Sequence, residues 1–158
     1  MSCILLGDYE SVSRLNIPMF LERVSAGFPS PAEDYVEKTI DLNELCIQHP
    51  AATFFVRVQG ESMVEAGIYP GDVLVVDRSL RAKHGDIIIA SLESEMTVKQ
   101  LHLTPPPVRL LPRNSAYRPI TVEGDMGMEV FGVVTNGIRS LKRGGLGGQP
   151  GRAGPLAT

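Results

Sequence analysis

Pro70-Gly71-Asp72-Val73-Leu74-Val75-Val76-Asp77, followed past a turn at His84-Gly85-Asp86 by Ile87-Ile88-Ile89-Ala90, decides the fold class. Both apolar runs are short, rich in β-branched residues and bounded by glycine and aspartate, which is how strands rather than helices are punctuated. Outward from them the pattern repeats. Phe54-Phe55-Val56-Arg57-Val58, Met96 to Leu103, Val108 to Leu111, Ile120 to Val122 and Val130 to Thr135 read as strands. Pro105-Pro106-Pro107 and Asn114-Ser115 supply further turns. About seven short strands with little helix predict an all-β, barrel-like or sandwich domain over residues 53–142.

The flanks read differently. Residues 1–26 hold scattered apolar positions without a convincing helical or strand period and are expected to form an N-terminal arm. Ser25-Ala26-Gly27-Phe28-Pro29-Ser30-Pro31 breaks regular structure and favours extended, accessible backbone. Residues 27–52 are read as a linker arm, with a short helix or turn within 34–48 started by Asp41 ahead of Leu42-Asn43-Glu44-Leu45. After Lys142 the chain is dominated by glycine and proline, so residues 143–158 are expected to be a flexible tail.

The chain has 158 residues, 43% hydrophobic and 21% charged, with a net charge of -3. That is room for one domain with a real core. A general nucleic-acid surface needs clustered lysine and arginine. Here only Arg139, Lys142 and Arg143 gather, and they read as part of a solvated tail. Cys3 and Cys46 have no metal-ligand spacing and are expected to be reduced thiols. No apolar run approaches the ~20 residues of a membrane helix, and the N-terminus lacks a secretory layout. The expectation is a soluble cytoplasmic protein with no cofactor and no metal.

Two places carry potential chemistry. Gln59-Gly60-Glu61-Ser62-Met63 follows a strand directly, so Ser62 would sit at a glycine-assisted turn with its hydroxyl presented and its own N–H available to an oxyanion. The alternative is that Ser62 caps a short helix from Met63 to Ala66. Glu95-Met96-Thr97-Val98-Lys99-Gln100-Leu101 places a lysine in a strand, with Thr97, Lys99, Leu101 and Leu103 on one largely apolar face. Such a lysine either snorkels to solvent or is buried, where its neutral form is favoured and can deprotonate a serine. His49, His84 and His102 are dispersed, show no aspartate at a recognisable spacing, and form no metal pattern.

In order, Gly60-Glu61-Ser62-Met63-Val64-Glu65-Ala66-Gly67-Ile68, Gly71-Asp72-Val73-Leu74-Val75-Val76-Asp77, His84-Gly85-Asp86-Ile87-Ile88-Ile89-Ala90 and Thr97-Val98-Lys99 resemble the self-cleaving serine proteases of the LexA/UmuD type. Phe28-Pro29-Ser30-Pro31-Ala32, Asn114-Ser115-Ala116-Tyr117 and Val130-Phe131-Gly132-Val133-Val134 point to its polymerase-accessory branch. The similarity runs from about residue 18 to 135.

The resemblance implies a LexA/signal-peptidase-like β-domain with Ser62 as nucleophile, Lys99 as general base and the Ser62 N–H in the oxyanion hole. It implies self-cleavage at Ala26–Gly27, promoted by the RecA filament on single-stranded DNA during the SOS response. It also implies a homodimer that joins the catalytic subunit of a Y-family translesion polymerase, with the replicative sliding clamp as a further partner. Neither sequence-specific DNA binding nor a membrane is expected. Ala26 stands where accessory members of the family usually have cysteine, and the tail after Lys142 has no counterpart. The alternatives are a LexA-like repressor, for which 26 residues ahead of Gly27 leave no room for a DNA-reading domain, and a regulatory subunit with a misaligned cleft.

Overall fold

The computed structural model describes residues 2–8, 17–20 and 36–142. The chain divides into two compact units, Glu10–Gln48 and the remainder, Met1–Tyr9 with His49–Thr158. In the smaller unit, β2 (Ile17–Phe20) pairs antiparallel with β3 (Val36–Ile40), Ile17 lying opposite Ile40. A short helix, α1 (Leu42–Cys46), follows. Its start is set as expected: the Asp41 carboxylate accepts the Asn43 N–H at 2.8 Å, satisfying one of the donors a helix leaves unpaired.

The larger unit is a single antiparallel sheet. Its strands are β1 (Ser2–Asp8), β4 (Thr53–Gln59), β5 (Val73–Asp77), β6 (Ile87–Leu92), β7 (Glu95–His102), β8 (Arg109–Leu111), β9 (Ile120–Thr121) and β10 (Glu129–Ile138). Their order is β1-β4-β5-β10-β6-β7-β8-β9. The mainly-β expectation holds, and β4 to β10 are the seven strands the sequence marks. Three strands in the first forty residues, β1, β2 and β3, escape its periodicity, because β pairing there is set by a partner strand rather than by a strong alternating pattern.

The core lies on both faces of the middle strands. Phe54, Val56 and Val58 of β4, Leu74 and Val76 of β5, Ile89 of β6 and Val98 of β7 close one cluster with Met63 and Ile68. Ile88 and Ala90 of β6, Leu101, Leu110 and Val133 form the other. Successive residues of β6 thus enter opposite clusters, which is why Ile87-Ile88-Ile89-Ala90 reads as a continuous apolar run. β10 threads between β5 and β6 with register shifts at both partners. Gly132 sits at one of them.

Candidate active site

β4 ends at Gln59, and Gly60 turns the chain with φ 82°, a left-handed conformation that glycine adopts without a side-chain clash. Ser62 and Met63 follow, both fully buried. Met63 anchors the turn in the first core cluster. The next element is a single 3₁₀ turn, Val64–Ala66, whose capping residue is Met63 and which receives no side-chain cap bond. The Ser62 hydroxyl is therefore not spent on capping.

The turn is held from a distant segment. The Arg113 N–H donates to the Ser62 carbonyl at 2.7 Å, the Glu65 N–H to the Arg113 carbonyl at 2.8 Å, and the Asn114 side-chain amide to the Glu61 carbonyl at 2.8 Å. Among the described residues the Ser62 N–H donates no backbone hydrogen bond.

β7 brings Lys99 to this turn. In register it faces Ile88 of β6, and only 5% of it is exposed. Its Nζ lies 3.3 Å from Ser62 Oγ, 2.7 Å from Thr97 Oγ1 and 3.2 Å from the Val98 carbonyl. Strand alternation puts Thr97 and Lys99 on one side of β7, and the short Thr97 contact follows from it. A lysine so enclosed does not snorkel. Removal from water favours the neutral amine over the ammonium, and a neutral amine beside a hydroxyl can accept its proton.

Ser62 and Lys99 are thus brought together across 37 positions. Ala26 and Gly27 lie outside the described residues. Thr97, Arg113 and Asn114 are contributions that sequence reading leaves without a role. Thr97 could have been found by its two-residue spacing from Lys99, whereas the Arg113–Ser62 bond has no local signal.

The histidines serve elsewhere. His49 does have a carboxylate partner, contrary to the sequence expectation: its Nδ1 lies 2.6 Å from Asp77 Oδ2, because Thr53 at the start of β4 pairs with Asp77 at the end of β5. Ser79 Oγ donates to the same carboxylate at 2.6 Å rather than to the imidazole. The group therefore lacks the serine–imidazole link that a histidine-based nucleophile needs. Burial on its own would push the Asp77 carboxyl up. Hydrogen bonds from the Ser79 hydroxyl, His49 and the Ser79 N–H outweigh it and hold the group below its ordinary value.

His84 Nδ1 accepts the Leu103 and Thr104 N–H groups at 2.9 and 3.2 Å, and His102 Nε2 lies 2.9 Å from the Pro105 carbonyl. Among the described residues no group of three or more histidine, cysteine or acidic side chains could hold a metal ion.

Arg139 is also not the solvated tail residue expected. It makes two bonds to the buried Asp72 carboxylate, at 2.7 and 2.6 Å, donates to the Gly67 carbonyl at 2.6 Å and lies over the Tyr69 ring. Asp72 raises the affinity of this guanidinium for its proton.

A profile of the Peptidase S24-like family matches residues 18–135, a span that includes Ser62 and Lys99. The chain belongs to that family. SamA of Salmonella typhimurium is 52% identical over 139 residues, covering 88% of this chain and 96% of SamA. MucA of Escherichia coli is 48% identical over 124 residues, covering 78% of this chain and 84% of MucA. The LexA repressor of Alcanivorax borkumensis is 43% identical over 104 residues, covering 65% of this chain and 50% of the repressor. The S24-like chain is accordingly a serine protease of the LexA/UmuD type, UmuD-like in its relatives, with the role of an accessory protein in SOS mutagenesis. No helix among its described residues is long and apolar enough to cross a membrane.

Proposed function

We propose that the protein cleaves its own chain between Ala26 and Gly27 with Ser62 as nucleophile and Lys99 as base, and that the product is the active accessory subunit of a translesion polymerase. The observation that carries this is the 3.3 Å separation of Lys99 Nζ from Ser62 Oγ in a buried setting. Ser62 Oγ attacks the Ala26 carbonyl carbon while its proton passes to the neutral Lys99 amine. The Ser62 N–H donates to the oxyanion that forms. Collapse breaks the Ala26–Gly27 C–N bond. Lys99 returns the proton to the departing Gly27 nitrogen, leaving Ala26 esterified to Ser62. A water deprotonated by Lys99 then hydrolyses the ester and restores the serine.

In this scheme residues 1–26 are the arm removed, 27–52 a linker, 53–142 the catalytic β-domain and 143–158 a tail dispensable for cleavage. The RecA filament on single-stranded DNA promotes the reaction. The product acts in the cytoplasm as a homodimer with the catalytic subunit of a Y-family polymerase, and with the sliding clamp.

The test is incubation of the purified full chain at alkaline pH, and separately with activated RecA filament, followed by N-terminal sequencing. A new terminus at Gly27 that is absent from both Ser62→Ala and Lys99→Ala is expected. An intact wild-type chain under both conditions overturns the proposal.

A further inference from the structure

We propose that the cavity walled by Leu111, Pro112, Tyr117 and Pro119, next to the turn that bears Ser62, is the subsite that seats Phe28 and Pro29, the two residues after the scissile glycine. This deepens the self-cleavage proposed above and rests on it.

Two cavities adjoin that turn. One, of about 490 Å³, includes Gly60 just ahead of Ser62, together with Met96 and Thr97, and has Glu93 and Glu95 among its walls. The other, of about 500 Å³, includes Glu65 just after Ser62 and the loop between β8 and β9. Its walls are tied to the nucleophile by the Arg113 peptide, whose N–H donates to the Ser62 carbonyl and whose carbonyl accepts the Glu65 N–H. A chain crossing the dyad therefore has one cavity for the residues ahead of the bond and one for those behind it.

Charge and backbone chemistry decide which segment takes which. Arg23 is the sole cation of residues 21–32 and lies ahead of the bond, matching the cavity that carries Glu93 and Glu95. Gly27-Phe28-Pro29-Ser30-Pro31-Ala32 is uncharged. Pro112, Tyr117 and Pro119 lie outside the strands, and the N–H and carbonyl of Arg113 and the N–H of Tyr117 are already bonded. This wall offers apolar surface rather than a ladder of donors and acceptors. It suits a segment with few N–H groups to satisfy, and Pro29 and Pro31 have none. Proline-rich chain docks in extended form against aromatic surface, and the Tyr117 side chain is 44% exposed. The reach is short as well. Phe28 is the second residue past the Ala26 carbonyl, within ~7 Å of it, and the Arg113 N–H lies against the carbonyl of Ser62 itself.

The experiment has two arms. In the first, self-cleavage of the full chain at alkaline pH is timed for Phe28→Ala, Tyr117→Ala and the double variant. Each single change should slow cleavage roughly 3–10-fold, and the double should be no slower than the slower single. A wild-type rate for Phe28→Ala, or losses that multiply in the double, overturns the proposal, since a merely structural role for Tyr117 would act independently of residue 28. If Tyr117→Ala does not fold, Pro119→Ala takes its place in the cycle, judged by the same outcomes. The second arm needs no protease activity. In a chain carrying Cys3→Ser, Cys46→Ser and Ser62→Ala, the pair Phe28→Cys/Tyr117→Cys should form a disulfide about tenfold or more faster than Phe28→Cys/Leu80→Cys, whether within one chain or between two copies. Leu80 is the control because it is 40% exposed and lines neither cavity. Equal rates for the two pairs overturn the proposal. A chain that cross-links selectively yet never cleaves sinks the mechanism and leaves the subsite standing; one that cleaves without selective cross-linking does the reverse.

Discussion

The Ser62 carbonyl accepts the Arg113 N–H at 2.7 Å, so the turn bearing the candidate nucleophile is fixed by a segment that follows β8 as well as by its own neighbours. Asn114 adds a second clamp on the preceding residue, donating to the Glu61 carbonyl while its Oδ1 accepts the Ala116 N–H at 2.9 Å. Asn114 is half-buried, but its hydrogen bonds lie at the exposed surface where water can replace them, so Asn114→Ala should lower stability by less than about 1 kcal/mol. Loosening the turn displaces Oγ from Nζ, and a small misplacement of reacting groups costs rate steeply, here roughly 3–10-fold. Cleavage time courses at one alkaline pH, beside thermal melts, separate the two effects. A wild-type rate would remove Asn114 from any positioning role.

Thr97 bears on Lys99 directly. Its Oγ1 lies closer to Nζ than Ser62 Oγ does, at 2.7 Å against 3.3 Å. Thr97→Val keeps the shape and deletes the oxygen, which frees the amine to swing away from the serine. The expected loss is about tenfold in cleavage rate, equivalent to ~1.4 kcal/mol, with Thr97→Ser restoring most of it. Equal rates for the valine and serine variants would show that packing rather than the hydrogen bond holds Lys99.

Acid sensitivity should report on Asp77. The carboxyl is buried, yet Ser79 and His49 hold it below its ordinary value of 3.8. A carboxyl depressed in the folded state contributes stability that is present above that value and lost as pH falls through the lower, folded one. Asp77→Asn should therefore cost ~1–2 kcal/mol at neutral pH, with the gap to wild type narrowing only below about pH 4. Urea denaturation across that range measures it. A constant gap down to the lowest pH would mean that the charge of Asp77 contributes nothing.

How much of this was legible beforehand differs by feature. The seven strands from Thr53 to Ile138 could be read because β-branched runs and glycine or proline turns are local signals. Ser62 and Lys99 could be singled out, but residue chemistry alone favoured an ordinary role for each, and only their ordered motifs reversed that. The Arg113 and Asn114 clamps and the His49–Asp77 pair were hidden for one reason. Each joins positions far apart in sequence, and such contacts follow from strand order, which periodicity does not encode. β1 was missed because a strand that completes an existing edge needs little pattern of its own.

Gly132 shows how tightly the middle of the sheet is closed. A Cβ there would stand 2.6 Å from Val76 Cγ1 and 3.2 Å from the Asp77 carbonyl. Val76 is fully buried and cannot turn away, and the carbonyl belongs to a strand paired on both sides. Gly132→Ala should thus destabilise by ~1–3 kcal/mol through overpacking, seen as a lower urea midpoint with an unchanged slope. Two obstacles of different kind predict a particular double mutant. Val76→Ala removes the nearer clash but not the backbone one, so Gly132→Ala/Val76→Ala should fall short of the additive loss by at least ~0.5 kcal/mol without regaining wild-type stability. Simple additivity would place the cost of the alanine in the backbone alone.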